Sequence, residues 1–204
     1  MQGDHIITGI TALSKGRYKI EVDGECGFVL YRGELKAYHI REGEEISGEF
    51  LEEILSEILP KRAKLRSMNL LKSREYTEYQ LREKLRQGIY PEAVIDEAIE
   101  YLKSYHYIDD RRYVKDYITY YSESRSRGRI EQDLLRKGIC RDLIRTVCEE
   151  DLDEDRLPDE ILLMKKLLEK KNYRAESADY PERQKLKAFL YRKGFSLDNI
   201  EKIL

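Results

Sequence analysis

The sequence predicts a mainly α-helical fold: three tandem three-helix repeats forming an elongated, curved array, preceded by a small β-rich N-terminal domain. Three observations carry this expectation. Beyond residue 60, apolar residues recur at helical spacing to the end of the chain. Three ten-residue segments, 80–89, 130–139 and 186–195, share one layout around a glycine. The first forty residues instead hold short β-branched and aromatic runs separated by glycine-containing turns.

In chain order, residues 6–13, 17–22, 28–32 and 35–40 read as strands. Between them lie Ser14-Lys15-Gly16, Asp23-Gly24 and Arg32-Gly33-Glu34, and Asp-Gly is a strong hairpin signal because glycine accepts positive φ. Two hairpins or a small meander result. A sheet of that size needs a cover. A helix from near Gly48 through Phe50, Leu51, Ile54, Leu55 and Ile58 supplies it. Pro60 marks a break or kink, because proline lacks the N–H that the ladder needs. The division that follows is 1–60, 61–108, 109–157 and 158–204.

Thr77 is placed as an N-cap, with Gln80 completing a capping box and Tyr76 and Leu81 forming a hydrophobic staple. That helix ends at Gly88, expected in the left-handed conformation, and Pro91 opens the next. Val94, Ile95, Ala98, Ile99 and Leu102 form its apolar stripe. When Gly88, Gly138 and Gly194 are superposed, Arg86, Arg136 and Arg192 coincide two residues before them. Leu85, Leu135 and Tyr191 coincide three before, and Ile89, Ile139 and Phe195 follow directly. Val94, Ile144 and Ile200 come six residues on. An opening helix precedes each pair, over 61–72, 110–123 and 158–171, so each unit reads helix–helix–turn–helix. Asp109 or Asp110 caps the second opening helix, on which Tyr113, Tyr117, Tyr120 and Tyr121 share a face. Packing between helices is the plain reading of these tyrosines; stacking on bases is the other.

Composition narrows the function. The 204 residues are 41% apolar and 38% charged, with a mean hydropathy of −0.70. Such a charge load suits a repeat array with much surface per residue. No run approaches 18 apolar residues, and the start, Met1-Gln2-Gly3-Asp4, has no basic region followed by an apolar one. Cys26, Cys140 and Cys148 form no C-x-x-C pair and read as reduced thiols of a cytoplasmic protein. His5, His39 and His106 are scattered, so no zinc site and no cofactor is expected. Asp109 and Asp110 are adjacent and point apart, with no His or Cys beside them, and no phosphate-binding glycine loop exists, which argues against an enzyme. The net charge of −2 conceals segregation. Residues 42–57 and 149–160 are acidic; residues 61–72, 125–129 and 165–171 are basic. The stretch 149–160 reads as a solvated linker, or as a surface that steers a basic partner.

The glycine-centred repeat, the junction Tyr107-Ile108-Asp109-Asp110-Arg111-Arg112-Tyr113, and Gly128 leading to Arg136-Lys137-Gly138-Ile139 together resemble the RecX family, bacterial regulators of the RecA recombinase. The resemblance covers about residues 61 to 204 and is strongest over 73–144. Val114 stands where the family usually has a small residue, and the third repeat departs with Tyr191 and Phe195. What the resemblance implies is a non-catalytic monomer of DNA repair, homologous recombination and the SOS response. It would bind the RecA filament, meet single-stranded DNA through it, and restrain its ATPase, strand-exchange and co-protease activities. The other reading is a helical-repeat protein that binds DNA directly, which the net acidity disfavours.

Basic residues placed on exposed helix faces are the contact candidates. They are Arg82 and Arg86 in the first repeat; Arg111, Arg112, Arg125, Arg127, Arg129, Arg136 and Lys137 in the second; and Lys187, Arg192 and Lys193 in the third. Arg125, Arg127 and Arg129 form the sharpest cluster, at a helix start where free N–H groups also favour an anion. A solvated basic turn is the competing reading of that cluster.

Overall fold

The computed structural model describes residues 4–153, 156–171, 173 and 179–204. They fall into two compact units, Met1–Ile108 and Asp109–Leu204.

The first unit opens with an antiparallel sheet of β1 (His5–Ala12), β2 (Arg17–Val22), β3 (Glu25–Tyr31) and β4 (Glu45–Ile46), in the order β3-β2-β1-β4. Asp23 and Gly24 both take positive φ, 52° and 81°, as the two-residue hairpin requires. Residues 35–40 are not the fourth strand. The first half of them ends helix α1 (Arg32–Ala37) and the rest forms the turn after it; the helix starts as soon as β3 ends, where the Glu34 carboxylate accepts the Tyr31 N–H at 2.7 Å. The edge partner of β1 is instead the short β4, which the sequence does not announce.

Helix α2 (Gly48–Glu53) starts at the Ser47 cap. It runs through a π-helical turn, Ile54–Ile58, into α3 (Leu59–Leu71). The backbone at Glu53, Ile54, Ile58 and Leu59 is right-handed helical, so Pro60 does not break the rod. A proline ring strikes the carbonyl four residues back in a regular helix. Widening the preceding turn, with Leu59 N–H donating to Ile54 O, absorbs the misfit. The division expected at residue 60 therefore falls inside a helix. It also falls inside one core: Ile7, Ile20, Phe28 and Leu30 of the sheet cluster with Ile54, Leu59, Leu81, Leu85, Ile95, Ile99 and Leu102 of the helices. Full burial of each such side chain contributes about 1.5–3 kcal/mol, so sheet and first repeat are stabilised together.

Helices α4 (Glu78–Arg86) and α5 (Glu92–Ser104) complete that repeat. Thr77 caps α4 as expected, accepting the Gln80 N–H at 3.2 Å while Gln80 Oε1 accepts the Thr77 N–H at 3.4 Å. The end of α4 differs. Gly88 has no positive φ; Ile89 takes the left-handed conformation, at φ 59°. Tyr90 N–H then closes the helix on Leu85 O at 3.3 Å. In the other repeats Gly138 (84°) and Gly194 (88°) are left-handed, with Ile139 N–H on Leu134 O and Phe195 N–H on Leu190 O. Structurally, then, Leu85 matches Leu134 and Leu190, and Tyr90 matches Ile139 and Phe195. The glycine superposition is one residue out in the first repeat. Burial agrees: Leu85, Leu134 and Leu190 are inaccessible, whereas Tyr191 is 61% exposed.

The second unit holds α6 (Asp110–Tyr121), α7 (Arg127–Arg136) and α8 (Arg141–Thr146), the last extended by a π-helical turn, Val147–Asp151. It continues with α9 (Glu160–Lys170), α10 (Tyr180–Arg192) and α11 (Leu197–Glu201). Asp109, Ser126, Asp159, Asp179 and Ser196 cap α6, α7, α9, α10 and α11 through side-chain oxygens. Val114, Ile118, Ile130, Leu134, Ile139 and Ile144 form one core. Leu163, Met164, Leu186, Leu190, Phe195 and Ile200 form another. The two are joined where the start of α7 meets the turn after α10. A Cβ on Gly128 would lie 2.5 Å from Gly194 O, so only glycine permits the approach. Ser126 Oγ donates to Lys193 O at 2.7 Å.

Candidate partner-binding surface

The basic cluster around α7 is organised by a residue that the sequence reading passed over, Asp133. Its side chain is only 9% exposed. It receives Arg125 Nη1 at 2.7 Å, Arg129 Nε at 3.2 Å and Arg136 Nη2 at 3.3 Å. The signal was present, because Arg129 and Arg136 stand four before and three after it on one helix.

Arg125 is the most committed of the three. It also donates to Tyr117 Oη at 2.9 Å and lies 3.6 Å from the Tyr121 ring centroid. The tyrosines of α6 form a column, with Tyr113 and Tyr117 centroids 6.1 Å apart and Tyr117 and Tyr121 4.6 Å apart. Lys137 sits 5.7 and 5.4 Å over Tyr113 and Tyr117. Burial pushes the Tyr117 phenol above its usual pKa, against the pull of Arg125. These rings therefore pack under the two cations that flank α7, while Tyr120 remains 77% exposed.

Arg127 belongs to the junction between repeats. Its backbone N–H donates to Glu160 Oε1 at 3.1 Å, and its Nε to Pro158 O at 3.3 Å. Asn199 Nδ2 donates to the other Glu160 oxygen at 2.9 Å. The helix start expected to offer free N–H groups to an anion thus has Arg127 N–H on Glu160 and Arg129 N–H on Ser126. The acidic stretch 149–160 is correspondingly not a simple solvated linker. Leu152 and Glu160 are buried, and Glu150 pairs with Arg111 at 2.9 Å. Residues 154–155 lie outside the described part.

The remaining candidates divide by their partners. Arg82 bridges Glu78 and Asp96 at 2.8 and 2.6 Å. Arg86 bridges Glu83 and Glu92, both at 2.6 Å, and Glu92 above all holds its pKa higher than usual. Lys187 pairs with Glu201 at 2.6 Å, and Lys193 lies 5.8 Å over Phe189. Arg112 and Arg192 are exposed and have no side-chain partner among the described residues. Arg129 and Arg136 keep 45% and 61% of their surface. Of the candidates in the second unit, those most open to a partner are thus Arg112, Arg129, Arg136 and Arg192, together with Lys193.

Comparison with known proteins agrees with this architecture. Residues 63–102, 109–147 and 159–204 match the models of the first, second and third three-helix domains of RecX. The chain is 33% identical over 201 residues to regulatory protein RecX of Caldanaerobacter subterraneus subsp. tengcongensis, covering 98% of each. It resembles a crystal structure of a regulatory protein RecX with a TM-score of 0.63 and 27% identity, over 98% of both chains. That of RecX from Lactobacillus salivarius shares the fold, with a TM-score of 0.59 over 71% of this chain and 94% of the other. With all three helical domains in order and a relative matched along its whole length, the chain belongs to the RecX family of regulatory proteins.

Proposed function

We propose that this protein binds the RecA filament on single-stranded DNA and restrains its ATP turnover, strand exchange and co-protease activity, working by occupancy and not by catalysis. The observation that supports it most is the ordered match to three RecX domains within full-length similarity to a regulatory relative. The disposition of charge is in keeping with it. Asp133 and Glu160, buried carboxylates of the second unit, accept Arg, amide and backbone donors, an arrangement that fixes geometry and leaves neither poised as a base. Arg112, Arg129, Arg136 and Arg192 offer guanidinium forks to carboxylates or phosphates of a partner.

Under this reading the protein acts as a monomeric clamp in the cytoplasm, coupling neighbouring protomers against the changes that accompany ATP turnover. Co-sedimentation with RecA–single-stranded DNA filaments, followed by steady-state ATPase at saturating occupancy, tests it. Binding with inhibition is expected, and an Arg112→Glu/Arg192→Glu variant should bind more weakly. Full occupancy with unchanged ATP turnover rejects the clamp.

A further inference from the structure

In the first unit a narrow cleft separates the sheet from the helices of the first repeat. It is lined by Arg17, Tyr31, Arg62, Arg66, Ile89 and Tyr90, among others, and its free volume of about 10 Å³ admits one water-sized atom. Three guanidiniums line this one small space, and they are unequally satisfied. Arg62 is the best partnered: it pairs with Glu34, donates to Val29 O at 2.9 Å and lies 4.9 Å over the Tyr31 ring. Arg17 reaches only Ser14, through two long contacts of 3.3 Å. Arg66 has no hydrogen bond or ion pair among the described residues, and its Nε is buried without an acceptor.

A buried N–H without an acceptor is rare in folded proteins and costly to keep. Here it coincides with unneutralised charge, because neither Arg17 nor Arg66 faces a carboxylate within ion-pair distance among the described residues. The Tyr90 phenol registers the same field. Burial raises its pKa, and the charges pulling it back are Arg62, Arg66 and Arg17. Beside them Ile89 holds its left-handed backbone, a conformation that a β-branched residue adopts only when its surroundings impose it. A cleft that is strained, cationic and short of an acceptor is built for an oxyanion.

We propose that this cleft takes one phosphate of a single-stranded nucleic acid, with Arg66 and Arg17 as its donors. A phosphodiester carries the same single charge as a carboxylate and, like it, can place one oxygen in the cleft and turn the other to the second guanidinium; what favours the nucleic acid is the aromatic ring beside the cleft. Tyr31, 45% exposed at the same place, offers an aromatic edge to the adjoining base. The proposal goes beyond the filament reading and does not depend on it.

The test uses the full chain without RecA. Binding of a fluorescent oligothymidylate is followed by anisotropy across a salt series, beside an Arg17→Gln/Arg66→Gln variant. The variant should bind at least about tenfold more weakly, and, because a single phosphate contact is lost, its log–log salt slope should fall by about 0.7 in all. Arg66→Lys, which keeps the charge but not the fork, should keep most of the slope while still losing affinity. In the unmodified protein, the Arg66 Nε–Hε resonance should shift on adding inorganic phosphate, a readout that stands even if the double variant misfolds. Unmeasurable oligothymidylate binding, an unchanged slope in the folded double variant, or a resonance that answers a glutamate-rich peptide but not phosphate overturns the proposal. A negative result leaves RecA binding untouched, because RecA is absent from every arm.

Discussion

Gly128→Ala decides between two opposite expectations. Gly128 lies in the first turn of α7, and in a free helix the change to alanine stabilises by about 0.5–1 kcal/mol. In this fold the new Cβ would lie 2.5 Å from Gly194 O, a backbone atom that no rotamer change can remove. Ordinary carbon–oxygen contacts lie at about 3.3–3.6 Å, so the helix start and the turn must part by roughly 1 Å. That separation opens the Ser126–Lys193 hydrogen bond and the Arg127 N–H bond to the Glu160 carboxylate, now 2.7 and 3.1 Å. Loss of a neutral hydrogen bond costs about 1 kcal/mol and of one to a charged group about 1.5–3 kcal/mol. After the helical gain, a net destabilisation of about 2–3 kcal/mol remains. Urea unfolding followed by far-UV circular dichroism, with hydrogen exchange of α7 and α10 amides to locate the loss, measures it. Gly43→Ala is the control: it has positive φ, 81°, with open space around it, and should cost only the conformational term of about 1 kcal/mol. A Gly128→Ala protein as stable as the parent, or more so, refutes the junction.

Three further outcomes follow from the same structure. Thr77→Ala removes the capping box from α4 and should cost about 1 kcal/mol in urea unfolding. Asp133→Asn leaves Arg125, Arg129 and Arg136 facing one another, and a loss of about 1–2 kcal/mol is expected, kept small because the guanidiniums face solvent. Repeating the unfolding in 1 M salt should shrink that difference. Acidification should weaken the first unit before the second. The carboxyls of Asp23 (held by the Ile6 N–H, then His5), Glu57 (by Lys61) and Glu92 (by Arg86) lie below their ordinary values. So does Glu78, where burial opposes but Arg82 and Lys103 prevail, and in the second unit Glu201, beside Lys187. A folded pKa below the unfolded one gives stability that is present above about pH 4.5 and lost as pH falls through the folded value. Hydrogen-exchange protection, corrected for the intrinsic rate at each pH, should fall first in the first unit between pH 5 and 3.

What the sequence made legible was local. Capping oxygens three residues before the amides they meet, such as Thr77 with Gln80, are written in the chain itself. So are apolar stripes such as Val94 to Leu102. What it hid depended on residues distant in the chain. Residues 35–40 carry strand-forming side chains but enter a helix, because β3 ends at Tyr31 and the Glu34 carboxylate closes back on its amide. Pro60 suggested an interruption, and a π turn absorbed it. The glycine superposition found the repeats but set the first one residue out of step, because Ile89 takes the left-handed conformation that glycine takes at 138 and 194. Self-similarity in letters locates such a repeat; only the hydrogen bond closing each helix sets its register.

The candidate surface shows the same limit in its charges. Counting basic residues treats Arg82, Arg86 and Arg125 as equal to Arg112 and Arg192, yet the first three are held by carboxylates of their own repeat and the last two have none among the described residues. A guanidinium already paired must break that pair to serve a partner, and the exchange gains little. An unpaired one meets a partner with only its hydration to lose. Asp133 sharpens the point. One carboxylate cannot neutralise three guanidiniums, so its site keeps an excess of positive charge while fixing where each fork points. Its contribution to binding would therefore come through orientation: Asp133→Asn should weaken partner binding even though it makes the surface more positive. A purely electrostatic surface demands the reverse, so the sign of that change in filament affinity separates the two accounts.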